Sequence, residues 1–163
     1  MSLQWQDPTF WQPEALDKEL RRISDICHGC RRCFNLCPSF GSLFNALDRP
    51  EVDGEAKKLT QGDLRNVLDL CYQCKLCYNH CPYTPPHRWN IDFPRLMLRA
   101  KAVQVRQQGQ SLADRFLGHV DIIGRLNAWL APLSNWILKL PFNRVAMEKT
   151  VGIHRRRQLP VYH

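Results

Sequence analysis

The chain has 163 residues, 44% of them hydrophobic, with 23 Lys/Arg, 15 Asp/Glu and eight cysteines. That length fits one domain, or one domain with an appendage, and the apolar content suffices for a modest core. The N-terminal run of Trp, Gln and Pro lacks the basic-then-apolar pattern of a secretion signal, which argues against a disulfide scaffold. The expected compartment is the cytoplasm, or peripherally the inner face of its membrane, where thiols stay reduced.

Trp5, Phe10 and Trp11 lie beside Pro8 and Pro13 and predict an extended segment that packs aromatics onto the body. Pro13 suits a first helical turn, and Leu16, Leu20 and Ile23 follow at i, i+4 and i+7, so a helix runs from there to the first cysteines. After Cys37 and Pro38, Ser39 is placed to cap a second helix with Phe40, Leu43, Phe44 and Leu47 on one face and Pro50 beyond its end. Residues 50–59 read as a charged loop. Thr60 and Asp63 form a capping-box pattern ahead of Leu64, Val67 and Leu68. Three prolines between Pro82 and His87 predict an extended stretch. Asp92 and Pro94 open another helix, with Leu96, Ala100 and Val103 on its inner face and Gly109 as its stop. Ser111 opens a last long segment in which Leu112, Phe116, Val120, Ile123 and Leu130 fall near helical spacing, and Pro132 and Pro141 break the chain beyond Leu130. No alternating strand pattern flanks the cysteines, so the expected fold class is all-α.

The cysteines form one string twice. Cys27, Cys30, Cys33 and Cys37 precede Pro38, and Cys71, Cys74, Cys77 and Cys81 precede Pro82. Both copies read C-x₂-C-x₂-C-x₃-C-P, the run that holds cubane clusters in two-cluster ferredoxins, where the fourth cysteine ligates the other cluster. The expected cofactors are therefore two 4Fe–4S clusters, one on Cys27, Cys30, Cys33 and Cys81, the other on Cys71, Cys74, Cys77 and Cys37. Zinc, which favours two separated pairs of ligands, suits a four-cysteine run poorly. With eight thiols for eight irons, His28 and His80 have no vacancy to fill and read as surface or supporting residues. Arg31, Arg32 and Lys75 sit in the loops, either solvated or placed to raise a potential or meet an acidic partner. Tyr72 and Tyr78 are expected to pack around the second cluster. No nucleophile elbow, phosphate loop, H-E-x-x-H or dinucleotide fingerprint occurs, so no catalytic residue is expected.

Charge is unevenly placed: residues 1–94 hold 11 Lys/Arg and 12 Asp/Glu, residues 95–163 hold 12 and 3. Each oxidised cubane with four thiolates adds about −2, which makes the cysteine half more acidic still. The expected division is a two-cluster α-helical domain over residues 1–110 and a basic amphipathic helical extension or linker over 111–163. Trp129 and Trp136, flanked by Arg and Lys, suit a helix on a partner or on a membrane surface through residues 111–141, whereas the broken apolar run is too short for a confident span. No nucleic-acid reader module is visible.

In its repeated motif and helical context the chain resembles the N-terminal module of heterodisulfide-reductase-related iron–sulfur oxidoreductases. That group includes the iron–sulfur subunit of anaerobic glycerol-3-phosphate dehydrogenase. CFNLCPSFGSLFNALD (residues 33–48) and CPYTPPHRWNIDFPRLMLRAKAV (residues 81–103) look like the branch linked with rubrerythrin-type proteins. The resemblance implies an α-helical ferredoxin fold and single-electron relay to a redox partner protein or subunit. Relatives usually continue into repeats with a Cys-Cys-Gly element. This chain has no Cys-Cys pair, so the resemblance places those repeats on a longer form of the chain or on a second subunit. The alternative function is a membrane-associated, quinone-linked iron–sulfur subunit of a dehydrogenase or reductase.

Overall fold

A computed structural model describes residues 4–163, so the first three residues of the expected redox domain lie outside the described residues. The chain divides into two compact units, one ending at Gln108 and one spanning Gly109–His163. Among the described residues there are helices and turns and no strand.

The first unit holds α1 (Pro13–Cys30), α2 (Pro38–Leu47), α3 (Gln61–Asp69), α4 (Leu76–His80) and α5 (Phe93–Gln108). Pro13 and Pro38 occupy first-turn positions, where a missing N–H costs nothing. The capping box at Thr60 and Asp63 is made in both directions, and Gly109 takes a φ of 75° just past α5. The buried faces are those of the helical periodicity: Leu16 and Ile23; Phe40, Leu43, Phe44 and Leu47; Leu64, Val67 and Leu68; Leu96, Ala100 and Val103.

Four local expectations need correction. The aromatic N-terminal segment is a 3₁₀ turn, Pro8–Trp11, rather than extended chain; it buries Phe10 and leaves Trp5 exposed. Arg99 holds it to α5 by donating to the carbonyls of Phe10 and Thr9 at 2.8 and 2.7 Å. Ser39 is no cap, because α2 begins at Pro38; its buried hydroxyl donates to the Val67 carbonyl at 2.7 Å and ties α2 to α3. Residues 50–59 form turns and a short 3₁₀ piece, Ala56–Lys58, that pack against the core. Val52, Ala56 and Leu59 are buried, and Arg21 of α1 clamps the segment by donating to the carbonyls of Ala56, Lys57 and Leu59, each at 2.9 Å. The three-proline stretch folds into successive turns, closed by Ile91 N–H on the Tyr83 carbonyl at 2.9 Å.

The second unit holds four short helices, α6 (Leu112–Gly118), α7 (Val120–Trp129), α8 (Ala131–Lys139) and α9 (Pro141–Val151), so the segment opened by Ser111 breaks at His119 as well as around Pro132 and Pro141. Ser111 caps α6, and Pro132 and Pro141 sit in the first turns of α8 and α9. Ser134 is its one buried residue; none of its apolar side chains is.

The Ser39 bond gives a direct test of the α2–α3 contact. Ser39→Ala leaves the buried Val67 carbonyl without this donor, so stability should fall by about 1–3 kcal/mol. Denaturant unfolding would read this as a lower midpoint at unchanged slope.

Candidate iron–sulfur site

The two cysteine loops share one backbone device. Arg31 and Lys75, each directly after the second cysteine of its string, take left-handed φ values of 51° and 63°. That conformation costs a non-glycine residue about 1–2 kcal/mol. It reverses the chain after Cys30 and after Cys74, so that the third cysteine returns toward the first two.

The thiols gather in two groups. Cys27, Cys30, Cys33 and Cys81 line one small cavity, together with Phe44, Tyr83 and Ile91. Cys37, Cys71, Cys74 and Cys77 line a second, with Phe93 and Pro94. The fourth cysteine of each string thus lies in the other string's cavity. All eight thiols are free of disulfides; Cys71 is buried, Cys74 is exposed and the rest are half-buried.

Burial pushes the Cys27 thiol up to about 12, and charge on Cys33, Cys81 and Cys30 adds to the shift. Burial likewise raises Cys33 to about 11, and charge on Cys81 adds most after it. Burial raises Cys77 to about 12, and Cys33, Cys71 and Cys37 contribute in that order. Bare, these thiols keep their protons at neutral pH; a bound cation is what deprotonates them. The donor set fits a cluster better than a lone ion. Zinc thiolate bonds of about 2.3 Å draw sulfurs into a tight tetrahedron. Among the described residues no three His, Cys, Asp or Glu side chains close in enough to hold one metal ion.

Several neighbours touch the sulfurs or their loops. The Tyr83 N–H donates to Cys81 Sγ at 3.4 Å. Contact with Cys30 raises the Tyr83 phenol above its ordinary value. Lys101 Nζ donates to the Cys71 carbonyl at 2.8 Å. Cys37 is the N-cap residue of α2, although its side chain makes no cap hydrogen bond. Sequence reading passed over Tyr83 and Lys101 as site residues. The signal for Tyr83 was its place two residues after a fourth cysteine; Lys101 arrives through the packing of α5 and carries none.

The other singled-out residues separate. Arg32 lines the first cavity, and Tyr72 and Lys75 the second; Tyr72 is nonetheless 76% exposed. Tyr78, His28 and His80 line neither. His28 packs over Gly54, where an added Cβ would lie 2.7 Å from the ring, and its Nε2 stands 3.6 Å from Asp48. Arg31 also pairs with Asp48. His80 Nε2 lies 3.3 Å from the Arg32 carbonyl.

The family model of the Fer4-like domain of citrate utilization protein B matches residues 20–109, and the chain belongs to that family. The match covers both cysteine strings and indicates an iron–sulfur, ferredoxin-like module. No solved structure matches the chain.

Metal-free protein should be alkali-sensitive in a defined direction. Cys27, Cys33 and Cys77 have folded values above their ordinary 9.0. The stability they contribute is complete below pH 9 and is lost as pH rises toward 11–12. Thermal melts followed by circular dichroism should show the melting temperature of iron-free protein falling across that window. Metal-loaded protein, whose thiolates have no proton to lose, should lack this fall.

Proposed function

We propose that this Fer4-like chain is an electron-transfer subunit that binds two 4Fe–4S clusters. Cys27, Cys30, Cys33 and Cys81 hold one, and Cys71, Cys74, Cys77 and Cys37 hold the other. The observation that carries this reading is the exchange of the fourth cysteines between two four-thiol cavities. When bound, each cubane supplies a store for one electron. The chain's own groups position and tune it. The Tyr83 N–H on Cys81 Sγ, and Arg32 and Lys75 at the cavity walls, favour added negative charge. Cys74 is the exposed thiol, and Tyr72 and Leu76 beside it are exposed as well. The second cluster therefore offers the edge at which a redox partner docks. The heterodisulfide-reductase-like sequence points to a partner subunit with Cys-Cys-Gly repeats, or to a rubrerythrin-type protein, in the cytoplasm.

Anaerobically reconstituted protein should carry about eight iron and eight sulfide per chain. Cys37→Ser should damage the cluster of the second string more than that of the first, and Cys81→Ser the reverse, as read by electron paramagnetic resonance. Four or fewer irons per chain would sink the two-cluster reading. Damage confined to the mutated string's own cluster would sink the exchanged ligation.

A second reading, a membrane-surface subunit linked to quinone, has its own support. Trp129, Trp136 and Phe142 are 80%, 60% and 85% exposed on a unit that carries eight Lys/Arg and three Asp/Glu. Among the described residues no helix is long and apolar enough to cross a membrane, so contact through these helices would be interfacial. The full chain should then co-sediment with phosphatidylglycerol-containing vesicles and not with phosphatidylcholine alone. The pair Trp129→Ser and Trp136→Ser should weaken that binding at least tenfold. Equal indifference to both vesicles would remove this reading.

A further inference from the structure

Phe40 is the one residue common to the linings of both thiol cavities. It is 2% exposed and lies one helical turn after Cys37, the thiol that crosses to the second string's cavity. Its ring stands between two others. Phe44, which lines only the first cavity, stacks on it at 6.0 Å; Phe93, which lines only the second, meets it at 4.6 Å. The helix sets this arrangement: Phe40 and Phe44 are four residues apart on α2 and share a face, while Phe93 is delivered by the start of α5.

We propose that Phe40 is the shared dry wall of the two cluster sites and sets how strongly they interact, a role that rests on the two-cluster reading above. Two anionic groups on either side of one buried ring face each other through apolar matter. Charge added on one side is felt on the other far more strongly than through water. The ring contributes by excluding water, not by bonding. A smaller side chain there admits solvent, screens the interaction, and changes the surroundings of both sites together. Phe44 and Phe93 are matched controls, equally aromatic and buried but each walling one site.

The test uses full-length protein, reconstituted anaerobically and reduced stepwise with dithionite. The two cluster signals are assigned beforehand with the Cys37→Ser and Cys81→Ser variants. Phe44→Ala should alter only the resonance of the cluster on Cys27, Cys30, Cys33 and Cys81. Phe93→Ala should alter only the other. Phe40→Ala should alter both and narrow the separation between the two reduction midpoints. Phe40→Met, which keeps most of the apolar bulk, should restore the separation; if the alanine variant loses iron, Phe40→Val takes its place. With about eight irons retained, a Phe40→Ala change confined to one signal or an unaltered separation overturns the proposal. So does a methionine variant that behaves like alanine. Wild-type protein with four or fewer irons fails differently: it removes the two-cluster reading itself, before any Phe40 variant is compared.

Discussion

Thiols gathered in a hollow of low polarity repel ionisation. Cys27, Cys33 and Cys77 are driven upward first by burial and then by one another, so the fold spends its packing on holding groups together that gain nothing from proximity until a cation joins them. Much of the first unit serves this constraint. The left-handed turns at Arg31 and Lys75 bend the loops. The Ser39–Val67 bond fixes α2 against α3, and the Arg21 clamp fixes residues 56–59 against α1. Because each cavity draws thiols from both strings, neither helical half can complete a site by itself.

The two strings are alike in sequence and unlike in setting. Cys27 and Cys30 are carried on the last turn of an 18-residue helix, whereas Cys71 and Cys74 lie outside any helix and α4 begins only after them. A helix offers its thiols from a rigid, half-buried surface; the second string leaves Cys74 exposed. The same spacing of ligands thus gives one cavity with four half-buried thiols and another whose thiols range from buried Cys71 to exposed Cys74. An identical string fixes which cavity a thiol joins, and the flanking chain fixes how near water and partners come.

The helices and their inner faces were legible because they depend on spacing alone. The same holds for the Thr60–Asp63 box and the Gly109 stop, which are local chemistry. The strings are read directly from the spacing, and their eight thiols line the two cavities. Residues 50–59 misled because charge dominates their composition, yet Val52, Ala56 and Leu59 follow an i, i+4, i+7 rhythm and are buried. The proline-rich stretch misled because its turns are closed by a long-reach bond from Ile91 to Tyr83. Ser39 reads as a cap only if Pro38 is left outside the helix, although proline is at home in a first turn. Phe40 reads as one core residue among several on α2. Its position between two cavities follows from Phe93 and the second string, which the local sequence does not contain.

The second unit poses the opposite energetic problem. Its helices have start and stop signals, but helices of this length are marginal in water without tertiary burial. Packing inside the unit buries no apolar side chain, and much of what holds its tail is polar. Asn135 exchanges two hydrogen bonds with the Tyr162 backbone, and Arg144 reaches the carbonyls of Arg155 and Arg157. Such bonds fix geometry but add only about 1 kcal/mol each. Leu112, Val120, Ile122, Trp129 and Phe142 remain in solvent, each at more than 60% exposure. The first unit thus holds the Cys27 and Cys77 thiols in apolar surroundings that raise their pKa, whereas the second leaves its rings in solvent and relies on caps and polar bonds.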